Sequence, residues 1–261
     1  MNNEYELGLP LEYQQMPEYF DAHNVSEQTD YKNALIEKLL RDQGVKTVLD
    51  MTCGTGSQVF YLAERGYNVV GSDFSPKLLE FAREKAKAIN KDIPFIDGDM
   101  RTLAAGQFDA VITIFNAIGH LTKVNFEKAL HNIKSNLNEK GIYVFDIFNL
   151  EAITAERLRE YVMDTEHFVN EVHIRHKQYS EVDREKGLLT SHDHYLISNG
   201  SDEPVSRNHR FSLQIYTAFE LQTILERNGF DVIKQWDMEG NDFIAEHSIS
   251  ILTVARKKIS R

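Results

Sequence analysis

The 261-residue chain has one cysteine, no apolar run of membrane-spanning length, and few bases for its acids. Cys53 has no second cysteine to pair with, which excludes an internal disulfide and fits a reducing compartment. The start, Met1-Asn2-Asn3-Glu4-Tyr5, has neither the charged nor the apolar region of a signal peptide. A transmembrane helix needs about 20 consecutive apolar residues, so the expected location is the cytoplasm. Forty Asp and Glu against 29 Lys and Arg leave a net charge of -11, and Arg256-Lys257-Lys258 is the one short basic stretch. Nucleic-acid and anionic-membrane binding lean on clustered bases, so neither is an expected partner. Internal repeats and low-complexity segments are also lacking.

One more absence is chemical. Val48-Leu49-Asp50-Met51-Thr52-Cys53-Gly54-Thr55-Gly56-Ser57 is an apolar run that ends in an acid and leads into a glycine turn. Gly54 and Gly56 let the backbone turn tightly against a ligand. The dinucleotide fingerprint G-x-G-x-x-G would require a third glycine at position 59, where Val59 stands. A pyrophosphate would also be repelled by Asp50, four residues before Gly54. A cofactor carrying a sulfonium and an ammonium would accept it. A second apolar run, Val69-Val70-Gly71-Ser72-Asp73, ends in an acid placed to accept from two ribose hydroxyls. Ile93-Pro94-Phe95-Ile96-Asp97-Gly98-Asp99-Met100 reads as a short strand and loop, with Asp99 facing an adenine amino group and Met100 packing on the ring. Together these features point to S-adenosylmethionine. Cys53 reads as a small packing residue.

The remaining pattern gives the expected architecture. Residues 1–28 form an arm with short helical pieces over the cofactor site. Thr29 or Asp30 caps a helix bearing Leu35, Ile36, Leu39 and Leu40, and Gly44 ends it. Strands are expected at Thr47–Asp50, Asn68–Ser72, Phe108–Ile114 and Ile142–Ile147. Helices are expected over Ser57–Arg65, from Ser75-Pro76 onward, and over Lys123–Leu137, with Asn138-Glu139-Lys140-Gly141 as a turn. Strands alternating with helices predict a parallel sheet with right-handed crossovers. From residue 161 to 217 alternating polar and apolar positions predict an antiparallel insert of about three strands. A last helix (Ala218–Asn228) and two strands (Phe230–Trp236, Ile249–Val254) return to the main sheet. The expected fold is thus α/β, a Rossmann-like seven-stranded sheet with helices on both faces and an antiparallel β insert after the fifth strand. Residues 29–160 and 218–261 make the cofactor domain. The insert is a substrate lid or a dimerisation element, so a homodimer or homo-oligomer remains open.

The stretch from about Tyr31 to Asn149 resembles a class I S-adenosylmethionine-dependent methyltransferase. The nearest resemblance is to small-molecule N-methyltransferases, namely the glycine and sarcosine methyltransferases and the amino-sugar N,N-dimethyltransferases. Three segments carry it: Thr29-Asp30-Tyr31-Lys32, Phe115-Asn116-Ala117-Ile118-Gly119-His120-Leu121 and Arg210-Phe211-Ser212. Tyr19 stands twelve residues before Tyr31, as in that family. The resemblance implies a cofactor set of Tyr19, Tyr31, Asp50, Thr52, Gly54, Gly56, Asp73, Phe74, Asp99, Met100 and Phe115. It places Asn116, His120, Phe148 and Arg210 at the acceptor, with Asn116, His120 and Tyr19 as candidate catalytic residues. His120 reads equally as a base or as a structural histidine.

The expected activity is methyl transfer from S-adenosylmethionine to a small molecule by in-line displacement, leaving S-adenosylhomocysteine. Such a reaction mainly requires alignment and exclusion of water. A neutral amine needs no strong base for the transfer, whereas a hydroxyl usually needs a base or metal. An amine acceptor is the first reading, a hydroxyl or carboxyl acceptor the second, and a non-catalytic cofactor-binding protein the third. Glycine methyltransferases carry an arginine after the fifth strand to bind the substrate carboxylate; here the segment is Asp146-Ile147-Phe148-Asn149. Phe148 favours an acceptor that is less anionic, larger or more apolar than glycine. No metal is expected: His192 and His194 share a strand face but lack a third ligand.

Overall fold

A computed structural model describes residues 6–200 and 203–259. Residues 1–5 of the expected arm, 201–202 of the insert and 260–261 of the last segment lie outside the described residues.

Seven strands form the main sheet: β1 (Thr47–Asp50), β2 (Asn68–Asp73), β3 (Phe95–Asp97), β4 (Phe108–Thr113), β5 (Leu137–Phe148), β10 (Phe230–Trp236) and β11 (Ser250–Lys257). Their order across the sheet is β10-β11-β5-β4-β1-β2-β3. β3, β2, β1, β4 and β5 run parallel, and β11 runs antiparallel to both β5 and β10. The chain order reverses between β1 and β4, which opens a crevice at their carboxyl ends.

Side chains alternate between the two faces of these strands. Leu49, Val111, Tyr143 and Phe145 pack with Phe126, Leu130 and Ile133 of α5 (Lys123–Ser135) and with Leu221, Ile224 and Leu225 of α7 (Ala218–Arg227). Val48, Ala110, Ile112 and Val144 face the other way, onto Ile36, Leu39 and Leu40 of α2 (Glu27–Asp42), Val59 and Leu62 of α3 (Ser57–Glu64) and Leu79 of α4 (Pro76–Ala88). Full burial of each such side chain is worth about 1.5–3 kcal/mol over exposure. The sheet therefore has helices on both faces, and this rigid double layer holds the strand ends in place.

Three local features differ from expectation. α2 starts at Glu27, because Ser26 and Thr29 close a reciprocal capping box; Thr29 is its third residue and not its cap. Residues 138–141 are not a separate turn ahead of the fifth strand, which already starts at Leu137. β5 runs through them as an excursion: Leu137 pairs with Phe108 and Ile142 pairs with Ala110. The insert has four strands, β6 (Met163–Val169), β7 (Val172–Asp183), β8 (Leu188–Asn199) and β9 (Val205–Gln214), in sequential antiparallel order.

The insert follows β5 through α6 (Ala155–Glu160) and returns beside that strand. Leu150 N–H donates to the Tyr216 carbonyl, and Asn149 and Tyr216 bridge in parallel. This seam sets the second sheet over the carboxyl ends of the main one. The arm runs between the two. Its described part holds 3₁₀ turns at Leu11–Tyr13 and Pro17–Tyr19, then α1 (Phe20–Asn24). On the insert side, Ser212 N–H donates to the Leu7 carbonyl and His209 donates to the Leu9 carbonyl. On the side of the main sheet, Ser75 Oγ donates to the Tyr13 carbonyl, Thr55 Oγ1 donates to Asp21, and Lys85 pairs with Asp21. Among the described residues no helix is long and apolar enough to cross a membrane.

Candidate active site

Asp50 is the last residue of β1 and Asp73 the last of β2, so parallel pairing puts both carboxylates at one edge of the crevice. The turn between β1 and α3 is shaped by them. Thr52 N–H donates to Asp50 Oδ1 at 3.1 Å, and Gly54 N–H donates to Asp73 Oδ2 at 2.9 Å. Ser75 N–H donates to the other Asp73 oxygen, also at 2.9 Å. Gly54 has φ +54°, and a Cβ there would lie 3.0 Å from the Phe20 ring of the arm. Glycine is needed both for the turn and for the arm that crosses it.

The two acids line a cavity of about 350 Å³, together with Tyr13, Phe20, Cys53, Phe74, Leu78, Met100, Ile114 and Phe115. Asp50 is 1% exposed and Asp73 5%. Burial pushes Asp50 up to about 7, opposed by the Thr52 hydrogen bond and aided by the charge of Asp73. Burial likewise pushes Asp73 up to about 6, against its backbone hydrogen bonds. Both carboxyls are short of positive partners. The Thr52 hydroxyl, buried in the same wall, has no hydrogen-bond partner. Cations of a bound molecule would supply what the acids lack, and a ligand with an apolar ring fits the opposite wall. These donors and acceptors fit S-adenosylmethionine. Among the described residues Lys32, on α2, is the one lysine or arginine lining this cavity.

A second cavity, of about 530 Å³, lies beneath the insert. Phe148, Ile153, Leu158, Leu189, Phe211 and Leu213 form an apolar wall; Glu12, Gln178, Ser180 and Ser191 form a polar one. The two cavities share Tyr13, His23, Asn24, Gln28, Lys32, Phe115, Asn116 and His120 and so meet along that line.

At the junction the backbone is strained. Phe115 has φ +63° and Asn116 φ +59°, two successive non-glycine residues in the left-handed region. Asp146, buried near the end of β5, holds them there. It accepts Phe115 N–H at 2.5 Å and Asn116 N–H at 3.3 Å. Burial raises its carboxyl to about 6, with the nearby Lys32 charge opposing. Two buried atoms of this turn, Asn116 Oδ1 and His120 Nδ1, have no hydrogen-bond partner, and both residues line the junction. His120 is 7% exposed, burial lowers it to about 4, and it is therefore neutral at physiological pH. The Tyr13 ring meets it edge-on at 5.3 Å. Asp146→Ala frees both N–H groups and the strained turn. We expect a loss of about 2–4 kcal/mol in chemical denaturation, together with weaker cofactor binding; unchanged stability would show that the turn stands without it.

Of the residues named from sequence, Asp50, Thr52, Gly54, Asp73, Phe74, Met100, Phe115, Asn116 and His120 line the first cavity, and Phe148 lines the second. Gly56 does not; it caps α3 at φ +92°. Asp99 also lies outside both linings. Burial works against its charge, but Arg101 grips the carboxylate and holds it below the usual range. Tyr19 is buried elsewhere, its ring stacked 5.5 Å from His23 and edge-on to Tyr195. Tyr31 is 57% exposed and donates to the Glu239 carbonyl. The twelve-residue spacing picked two tyrosines that the fold turns away, while Tyr13 and Phe20 of the arm supply the aromatic faces. Arg210 is also turned away. It is exposed on β9 opposite His192, and the two-residue alternation points Phe211 inward instead. His192 pairs with Glu181 and His194 with Ser206. Among the described residues no three His, Cys, Asp or Glu side chains are grouped to hold a metal. Cys53 is buried, which raises its thiol well above the ordinary value.

Parts of the chain resemble known proteins. Residues 48–141 match the protein family described as "Methyltransferase domain". Glycine N-methyltransferase of Oryctolagus cuniculus is 34% identical over 145 residues, 49% of this chain and 49% of that protein. The chain spans about half the length of the curated relatives it matches. Among solved structures, an S-adenosylmethionine-dependent methyltransferase from Clostridium acetobutylicum ATCC 824 superposes with a TM-score of 0.76 at 15% identity, covering 92% of this chain and 96% of that one. The amino pentose methyltransferase CalS10 from Micromonospora echinaspora, solved with S-adenosylmethionine bound, gives 0.69 at 20% identity over 94% and 97%. The fold is Rossmann-like, with an added antiparallel β layer. Residues 48–141 thus carry a methyltransferase-type domain, and the fold around it is the one seen in solved S-adenosylmethionine-dependent methyltransferases.

Proposed function

We propose that this protein moves a methyl group from S-adenosylmethionine to the nitrogen of a small amine. One observation carries the reading: the cavity lined by Asp50 and Asp73 opens into a second, part-apolar chamber at Asn116 and His120, where two buried polar atoms await partners. The bound cofactor supplies an electrophilic methyl on a good leaving group. The protein's work is then to hold the acceptor in line and keep water out. Asp73 would take the ribose hydroxyls, Asp50 the cofactor's cationic end and Lys32 its carboxylate. Asn116 Oδ1 would accept a hydrogen from the amine and fix the direction of its lone pair. Neutral His120 would accept another at Nδ1. Tyr13 and Phe211 close the apolar sides. The arm, tied to both sheets, is in this reading a cover over the cofactor, and the β insert a cover over the acceptor.

Phe148 lines the chamber, and among the described residues no arginine does. An acceptor without a carboxylate fits it better than glycine. The related glycine N-methyltransferases and amino pentose methyltransferase support an amine of small size. Release of S-adenosylhomocysteine from a panel of amines, amino sugars, sugars and phenols tests this. Amines should turn over at least about tenfold faster than hydroxyl analogues of the same shape, because a hydroxyl needs a far stronger base than the neutral His120 provides. Turnover of phenols alone would shift the reading to oxygen.

A further inference from the structure

The acceptor chamber ends on a carboxylate that the cofactor does not use. Glu12 sits in the first 3₁₀ turn of the arm, 4% exposed, and lines the second cavity but not the first. The arm is folded here against the insert. Tyr195 of β8 donates its hydroxyl to Glu12 Oε2 at 3.2 Å, and His23 of α1 approaches Oε1 at 3.9 Å. Among the described residues no lysine or arginine pairs with it. Behind these, His176 of β7 bonds Asp193 of β8 at 2.9 Å, and Asp193 also accepts from Gln178, a residue of the chamber wall. Tyr19 and His167 complete the packing around His23.

The nearest histidine among those neighbours, His23, brings Glu12 no positive charge. Burial lowers His23 to about 4, with His176 and His167 adding to the effect and Asp193 opposing it, so His23 is neutral at physiological pH. Burial also pushes the Glu12 carboxyl above its ordinary value, opposed by its own backbone, His176 and Tyr195 and aided by Asp193. A lone carboxylate in a low-dielectric wall is costly unless a cation or a proton comes to it. The cavity it faces also holds the unpartnered His120 Nδ1. His23 lines both cavities, which places Glu12 just behind the line where the acceptor nitrogen must sit.

We propose that Glu12 is the cation-selecting carboxylate of the acceptor chamber: it draws in acceptors as their ammonium form and takes up the proton that the nitrogen must lose before it can attack. The inference rests on the amine reading above. In the step, one N–H bond of the ammonium breaks, its electron pair stays on nitrogen, and the proton forms an O–H bond on Glu12. The freed pair forms the N–CH₃ bond, while the S–CH₃ bond breaks with its electrons left on sulfur. The product leaves as a methylated ammonium, and Glu12 returns its proton to solvent when the chamber opens. A second methylation would require the same uptake again.

The test uses the full chain loaded with S-adenosylhomocysteine and three probes of one shape: cyclohexylamine, cyclohexanol and cyclohexanecarboxylate. Calorimetric affinity should rank the amine at least about tenfold above the alcohol, with the carboxylate weakest. Glu12→Gln keeps the Tyr195 contact, so S-adenosylhomocysteine affinity should stay within about threefold while the preference for the amine over the alcohol collapses toward one. Equal response to amine and alcohol in the native chain, no response to either, or a preference that survives Glu12→Gln overturns the proposal. Failure of the native chain to bind S-adenosylhomocysteine would instead strike the proposed donor, and the two failures are read on separate titrations.

Discussion

Binding of S-adenosylmethionine is expected to tighten by roughly ten- to a hundredfold as the pH rises from about 5.5 to about 7.5. Asp50 and Asp73 hold their protons unusually well in the ligand-free protein, with values of about 7 and about 6 caused chiefly by burial. A cofactor with a sulfonium and an ammonium prefers their charged forms, so its arrival expels protons, and affinity climbs wherever there are protons to expel. S-adenosylhomocysteine lacks the sulfonium charge and should show a shallower slope. Stability of the ligand-free chain runs the opposite way. A carboxyl whose value is raised by folding contributes stability that is complete below about pH 4 and is lost as the pH passes through about 6 to 7. Calorimetric titration across the range reads the first effect, and thermal unfolding with and without cofactor reads the second. A flat affinity profile would remove both acids from contact with the cofactor's charges.

Replacing Asp73 by Ala should weaken cofactor binding by about 1–3 kcal/mol, roughly 5- to 150-fold. Two losses combine. The ribose hydroxyls lose their acceptor, and the N–H groups of Gly54 and Ser75 lose the carboxylate that shapes the cofactor turn. Asp73→Asn keeps an acceptor oxygen without the charge and should fall between. Affinity measured on folded protein separates the site effect from any drop in melting temperature, and an unaltered dissociation constant would show that the ribose is held elsewhere.

Much of this site could be read from the chain because its key residues are local. Asp50, Gly54 and Asp73 sit within 24 positions of one another, and the period of the flanking runs identifies the strands that carry them. Strand-end position then follows from parallel pairing alone. The arm was harder. Its tyrosines lie in irregular structure, where no period tells which ring faces the cofactor, and tertiary packing turned Tyr19 and Tyr31 away while bringing in Tyr13 and Phe20. Arg210 stands one position of strand register from the inward-facing Phe211, the smallest step that moves a side chain to the opposite face. Glu12 and His23 give no signal, since a single acid or histidine in a polar stretch looks like solvated surface. Asp99 was legible as a loop acid, but Arg101, two residues on, had already claimed it.

The arm that binds to Thr55 and Ser75 on one side and to Tyr195, His209 and Ser212 on the other is a wall of both cavities at once. An arm that moved to admit a nucleoside would open the proposed acceptor chamber with it. Under the proposed reaction this dictates a compulsory kinetic order: donor first, acceptor second, methylated product away before spent donor. Product-inhibition patterns would display that order directly, with S-adenosylhomocysteine competing only against S-adenosylmethionine.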